Sequence, residues 1–492
     1  MSERVGLDPD LAAGMASVLS RGILLLDGIV DELMRTIRAS ADPLDRALDA
    51  GAPVIAPWSL PIAVAGLRHL GEAGRNALQL MRELGERVER QRFASSADDA
   101  SYGLGWVSLA RAGALYGAAR RDPAVLEDLA PSAVASLFRA LTTRQAEELL
   151  EAWPVQIGRL EGAPYALRDA ANRATLQHAL EEASLPADSP RRLAAERTAQ
   201  ALDDAAARGL GPVQLVVLDL PEDGAKTDMR AAISIGDLDR AEDIGVMVPG
   251  MNSNVEGSMR SLTWNAGNMQ VDLRSPAFNR SEVPTAVVGW MGYESPTENP
   301  LDLDRFVGGD HLADAGGEQL NRFLGGIDVT NANARVTVLA HSYGTRLATY
   351  ALSTGGRADA LVMYGAPGVA EGIDTAVEIA GVGDGRVYST KSAGDLLGST
   401  GNVIDDAIRA GATGAWGNLG VDVLGEEMSD LDGRPNADPN DASFRAKVFA
   451  TRDTPGHGLG EEGGSYSGYW GPPGTDSLDN GARIMLGLEP AA

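Results

Sequence analysis

From Gly211-Pro212 onward the chain is punctuated by eight short runs that are apolar or alternate: 213–220 (VQLVVLDL), 231–235, 244–248, 286–290, 336–340, 360–364, 386–391 and 447–451. Runs this short, most of them unbroken and rich in β-branched residues, suit strands buried on both faces of a sheet; a strand with one wet face would carry polar residues at every second place. Helix-compatible segments separate several of them, notably around 315–326, 344–354 and 475–487. Strands alternating with helices imply a mostly parallel, doubly wound sheet with helices on both faces. The fold class expected for 201–492 is therefore α/β.

The preceding 200 residues read as helix. Leu11, Met15, Val18, Leu25, Ile29 and Leu33 recur in steps of three, four and seven, which marks one face of a long helix. Pro43 and Gly51-Ala-Pro53 break it. A second amphipathic stretch covers 60–92, a Ser/Ala/Asp-rich loop comes next, and helix is expected again from Trp106 to Arg120. Thr142-Thr-Arg-Gln145 fits a capping box, in which a hydroxyl and a glutamine satisfy the free N–H groups of a first helical turn. Ser189-Pro190 fits an N-cap with proline at the first helical position, and Gly209 a left-handed stop. No repeat of fixed period is present. These signals predict an all-α N-terminal domain over 1–200 and a catalytic domain over 201–492, with the boundary near 190–210.

Composition narrows the partners. At 492 residues the chain is long enough for two or three domains. The formal net charge of −27 repels phosphate backbones and anionic headgroups, so no nucleic acid is expected as a partner. With no cysteine there is no disulfide, thiol nucleophile or thiolate metal site. The apolar cluster Ile23-Leu24-Leu25-Leu26 is cut off by Asp27, Asp31 and Glu32, too short for a signal-peptide core or a membrane span. A cytoplasmic protein without integral membrane contact is expected.

One stretch carries chemistry. Val336-Thr-Val-Leu-Ala340 runs straight into His341-Ser342-Tyr343-Gly344-Thr345, and a helix-compatible segment continues from Arg346 to Leu352. Strand, tight turn and helix with a serine at the turn form a nucleophile elbow, which lifts the hydroxyl clear of the sheet. Small residues must stand two places either side of the serine, where strand and helix nearly touch. Here they are Ala340 and Gly344; the usual pattern has glycine at both.

A serine hydroxyl needs a base. Of the three histidines after residue 200, His341 adjoins the serine and reads as a structural neighbour, and His311 lies in a polar loop ahead of it. His457, in Thr454-Pro-Gly-His-Gly458 after the last strand, fits the order serine, acid, histidine. For the acid, Asp395 stands at the end of the 386–391 strand just past a glycine; Asp438 is the best rival, and Asp453 is too near His457 in the chain. An oxyanion hole needs two backbone N–H groups. Tyr343 supplies one by position, and Met251, in the turn Pro249-Gly250-Met251-Asn252 after an early strand, is the candidate for the other. Trp290-Met-Gly-Tyr293, Tyr466, Tyr469 and Trp470 are candidates to wall the pocket. Gly458-Leu-Gly460-Glu-Glu-Gly463 matches a dinucleotide fingerprint only formally, since it opens no strand–helix unit and sets two glutamates against a pyrophosphate. No spacing suggests a metal, and no cofactor is expected.

The Val248-Pro-Gly250 turn, Trp290-Met-Gly-Tyr293, the elbow His341-Ser-Tyr-Gly344, Pro455-Gly-His-Gly458 and Gly162-Ala-Pro-Tyr-Ala-Leu-Arg-Asp-Ala-Ala-Asn-Arg173 together resemble an α/β-hydrolase family widespread in actinobacteria whose members carry a helical region before the hydrolase domain. The resemblance spans roughly 145–488 and implies the α/β-hydrolase fold, with Ser342, Asp395 and His457 as a triad; it implies no substrate. The helices at 1–140 are loosely similar to the small helical proteins of type VII secretion, which implies export without a signal peptide. The function expected is that of a serine hydrolase acting by acyl-enzyme chemistry on a small-molecule, ester-type substrate, lipid or other acyl. The alternative is a catalytically silent hydrolase fold that binds or serves secretion. The helical region is expected to offer a surface to a second copy or a secretion partner, or to act as a lid that a deletion of 1–190 would remove.

Overall fold

The computed structural model describes residues 104–127, 129–182, 185–186, 188–221, 229–278, 283–296, 311–383, 385–395, 437–459 and 468–491. The helices expected within 1–92 lie outside these residues. Two compact units divide the chain, Met1–Ala110 and Arg111–Ala492, and the second holds the sheet and the candidate site.

Eight strands form one sheet, β1 (Val213–Asp219), β2 (Arg230–Ile235), β3 (Asp243–Val248), β4 (Thr285–Met291), β5 (Arg335–His341), β6 (Ala360–Tyr364), β7 (Val387–Thr390) and β8 (Lys447–Val448), in the order β1-β2-β4-β3-β5-β6-β7-β8. β2 runs against both of its neighbours, and every other pairing is parallel. Each of the eight runs singled out in the sequence is a strand. Side-chain alternation explains why the central runs are apolar throughout: Val246, Val248, Val338 and Ala340 enter the core on one face, and Met247 and Leu339 enter the core on the other. Burying a side chain of this kind contributes roughly 1.5–3 kcal/mol, so the sheet interior anchors the unit.

The helices are α1 (Leu104–Ala119), α2 (Ala124–Glu127), α3 (Pro131–Ala140), α4 (Thr143–Ala152), α5 (Pro154–Arg159), α6 (Tyr165–Glu181), α7 (Pro190–Ala207), α8 (Val255–Leu273), α9 (His311–Thr330), α10 (Gly344–Ser353) and α11 (Asp476–Met485). α9 and α10 cover one face of the sheet; α7, α8 and α11 cover the other. The two caps read from the sequence are present. Thr142 and Gln145 form the reciprocal box, and the Ser189 hydroxyl accepts from the Arg192 N–H at 3.2 Å.

The division expected near residue 200 is not where the contacts divide the chain. Helices α3 to α7 belong with the sheet, because α6 closes the outer edge of β1. Asp169 accepts the Leu215 N–H at 2.6 Å, Asn172 donates to the Leu215 carbonyl at 2.8 Å, and Arg173 donates to the Val213 carbonyl at 2.7 Å. An edge strand offers a row of unpaired backbone groups to any passing strand; here side chains of a helix satisfy three of them. At the start of α6, both oxygens of Asp239 accept the first-turn N–H groups of Tyr165 and Ala166 at 2.8 Å. Arg168, buried, pairs with Glu161 and donates to the Gly158 carbonyl at 3.1 Å. The Gly162–Arg173 motif is thus architectural.

Candidate active site

The strand order sets the place. β3 leads through α8 to β4 on one side, and β5 leads through α10 to β6 on the other, yet β3 and β5 are neighbours. Loops leaving adjacent strand ends in opposite directions open a crevice at the carboxyl edge of the sheet. The Pro249–Asn254 turn and the Ser342 turn flank it.

Ser342 sits between β5 and α10 with φ +53, a left-handed conformation that costs a non-glycine residue about 1–3 kcal/mol. Its N–H donates to the Tyr364 carbonyl at 3.0 Å, and the Thr345 hydroxyl donates to its carbonyl at 2.7 Å. At Gly344 a Cβ would come within 2.6 Å of the Pro249 carbonyl oxygen and 2.7 Å of that of Val248, so no side chain fits there. Ala340 is different: its methyl enters the core beside β3, so alanine is accepted at the position where the usual pattern has glycine. Gly250 makes the second close approach, since a Cβ there would stand 2.7 Å from that of Ser342. Met251, the next residue, is half-buried, and its turn is held by the Tyr293 hydroxyl, which reaches the Pro249 carbonyl at 2.8 Å and that of Gly250 at 3.1 Å. Tyr343 is buried and opens α10, whose amino end adds positive potential beside Ser342.

His457 Nε2 stands 2.7 Å from Ser342 Oγ, and its Nδ1 lies 2.9 and 3.0 Å from the two oxygens of Asp395. A carboxylate only accepts, so Nδ1 carries the proton and Nε2 is free to accept from the serine hydroxyl. Asp395 is fully buried and also takes the Tyr469 hydroxyl at 2.7 Å; that phenol accepts the Ser392 N–H at 2.8 Å. Burial and the neighbouring carboxylate push the Tyr469 phenol well above its ordinary value, so it stays a donor.

The structure brings Ser342, His457 and Asp395 together and leaves the rivals apart. Asp438 accepts the Asn440 backbone and side-chain N–H groups, and Asp453 accepts the Asp476 N–H. His311 is the first residue of α9. Two groups whose part the sequence did not reveal belong to the site. Tyr469, expected as a wall, holds the acid. His341, read as a structural neighbour of the serine, is buried under His457, with its Nε2 2.7 Å from the His457 carbonyl oxygen. Trp290 and Tyr293 stack at 6.1 Å behind the Pro249 turn. Trp470 is buried against His341, and Tyr466 lies outside the described residues, as do 460–463 of the glycine-rich match. Among the described residues no group of three or more His, Asp or Glu could hold a metal ion, and no helix is long and apolar enough to cross a membrane.

Residues 223–404 match the family model described as alpha/beta hydrolase, a segment that takes in Ser342 and Asp395 and stops before His457. The chain is 31% identical over 355 residues to the uncharacterized protein Rv2079 of Mycobacterium tuberculosis, covering 62% of this chain and 52% of that one. It is 32% identical over 159 residues to the uncharacterized protein Mb0988c of Mycobacterium bovis, covering 31% of this chain and 57% of that one. The chain thus spans about half the length of the curated relatives it matches. Among solved structures, the carboxylesterase EstE1 from a metagenomic library aligns over 62% of this chain and 99% of its own at 14% identity and TM-score 0.29. TT1662 from Thermus thermophilus aligns over 54% and 95% at 11% identity and TM-score 0.29. The family match over 223–404 and the strand order agree with the resemblance read from the sequence: the protein carries a domain of the α/β-hydrolase fold, and it is similar in sequence to mycobacterial proteins.

Proposed function

We propose that the protein is a serine hydrolase that cleaves an ester-type acyl substrate through an acyl-enzyme. The observation that carries this reading is the chain of hydrogen bonds from Ser342 Oγ through the His457 ring to the buried Asp395 carboxylate, at 2.7 and 2.9 Å. In this reading His457 Nε2 takes the hydroxyl proton as Ser342 Oγ attacks the acyl carbon. The imidazolium that forms is stabilised by Asp395, which also fixes the tautomer. Negative charge on the substrate oxygen is met by the N–H groups of Tyr343 and Met251, at the amino end of α10 and in the turn pressed against Ser342. The alcohol leaves with the proton from Nε2. Water, deprotonated by the same nitrogen, then releases the acid and restores the serine. No cofactor enters these steps. An ester is favoured over an amide because the fold most often serves esters, which is an analogy of fold.

The test is covalent labelling with a fluorophosphonate probe, read by intact mass, beside Ser342→Ala and His457→Ala. One adduct in the wild type, lost in both variants, is expected. A folded wild type that takes no adduct would overturn the reading in favour of a silent binding or secretion-associated module.

A further inference from the structure

His457 sits in Thr454-Pro-Gly-His-Gly458, a stretch without helix or strand and with glycine on both sides of the histidine. A ring hydrogen bond to Asp395 fixes the orientation of the imidazole but not the path of the backbone that carries it. The Tyr469 N–H donates to the Gly458 carbonyl at 2.9 Å and the Ser392 hydroxyl to that of Thr454, which anchors the loop on either side, and a further contact is made at His457 itself. The His457 carbonyl oxygen lies 2.7 Å from His341 Nε2. A carbonyl only accepts, so Nε2 of His341 carries the proton and Nδ1 is bare; Nδ1 has no hydrogen-bond partner among the described residues. The two imidazole centroids are 4.8 Å apart, and the Tyr469 and Trp470 rings close around His341 at 5.7 and 5.9 Å.

We infer that His341 is a positioning residue, which grips the backbone of His457 while the adjacent Ser342 engages its ring, so that one dipeptide holds the base at both ends. The inference rests on the reading of His457 as general base. Its chemistry is consistent with the charge that develops. The groups facing His341 are His457, Asp395 and the aromatic rings of Tyr469 and Trp470. Burial first, and the neighbouring His457 second, hold the His341 pKa down to about 3. The latch therefore stays neutral and places no second cation beside the imidazolium formed in each half-reaction. It also keeps one tautomer, since a proton moved to Nδ1 would leave two acceptors facing each other.

A misplacement of about 1 Å at a reacting group costs on the order of a hundredfold in rate. His341→Phe fills the space and removes the donor; His341→Gln keeps an amide N–H at a similar reach. With the fluorophosphonate as probe, His341→Phe should label Ser342 roughly 10–100-fold more slowly, and His341→Gln within about threefold of wild type. With p-nitrophenyl acetate the loss should fall on kcat, with KM within about twofold. Wild-type rates in His341→Phe overturn the inference, and so do equal losses in both variants when both melt like the wild type. If the wild type takes no adduct, the proposed function falls instead, and nitrogen-15 spectra of its histidines decide the latch; the same spectra decide it if His341→Phe does not fold. His341 should show a protonated Nε2 and a bare Nδ1 from about pH 5 to 9. The opposite tautomer, or a ring that titrates in that range, would overturn it.

Discussion

The turn from β5 into α10 and the helix α6 are both particular about residue type, and for opposite ends. At the turn, a left-handed serine, a glycine with no room for a Cβ and His341 gather polar groups against His457, where the proposed reaction would take place. On α6, Asp169, Asn172 and Arg173 gather polar groups where nothing should reach them, against the outer backbone of β1. As strings of letters the two motifs look alike. What separates them is whether the polar atoms are left with unused capacity. On α6 each is spent on a backbone partner, whereas Ser342 and His457 are paired with each other, a pairing that the proposed mechanism would have a reacting carbonyl interrupt.

Substitutions can break that contrast. The largest effect is expected at the site. Asp395→Asn places an amide against the ring and favours the wrong tautomer, so fluorophosphonate labelling and ester hydrolysis should fall by about 10³–10⁴, with the melting temperature little changed. Comparable activity in this variant would make the Asp395 contact architectural. On the other side, Arg168→Ala leaves Glu161, half-buried, without its cation, whose carboxyl burial already holds above the ordinary range. It should cost roughly 3–5 kcal/mol in denaturant unfolding, with labelling per folded molecule unchanged. Asn172→Ala should cost about 1–3 kcal/mol by orphaning the Leu215 carbonyl, again without a change in labelling. A slowed label in either helix variant would show that the edge and the site are coupled.

The smallest effect depends on pH. Asp272, in α8, accepts the Gly474 N–H at 2.9 Å through one oxygen, while the other is buried without a partner among the described residues. Burial raises its pKa from 3.8 to about 7. A carboxyl that holds its proton longer folded than unfolded contributes its stability below about pH 4 and loses it as the pH rises toward 7. Asp272→Asn should therefore gain about 1–3 kcal/mol near pH 8 and little or nothing near pH 4, read from melts at both. An equal gain at both would mean that the carboxyl is not the titrating group.

The sheet was legible because its central strands are short and buried on both faces, which leaves a signature in single runs such as 244–248. The serine turn was legible because steric exclusion restricts it to few residue types. Helix α8 left no comparable mark. It is buried against α7, α11 and the sheet, with Asn265, Asn268, Gln270 and Asp272 inside, so no polar face alternates with an apolar one. Its only local signal was Asn254, whose side chain accepts the Gly257 N–H at 2.6 Å. The roles of His341 and Tyr469 were not legible at all. Each depends on a partner 74 or more residues away, and periodicity reports only neighbours. The ties between α6 and β1 stayed hidden for a related reason: a helical stretch next to a β-rich one reads as two domains whether or not side chains tie them together. Cutting at residue 190 would remove α6 with its three bonds to β1, and so would expose an edge and not merely lift a lid.

At Gly344 the first turn of α10 rests directly on the carbonyl oxygens of Val248 and Pro249, and at Gly250 the facing turn rests on Ser342 itself. The two walls of the crevice are in hard contact, with no side chain between them to be lengthened or trimmed. A breeder of new specificities has nothing to adjust at that seam. Descendants of this scaffold can diverge in what they accept only through segments further from the seam, and a library that randomises Gly250 or Gly344 forces side chains into backbone and into Ser342.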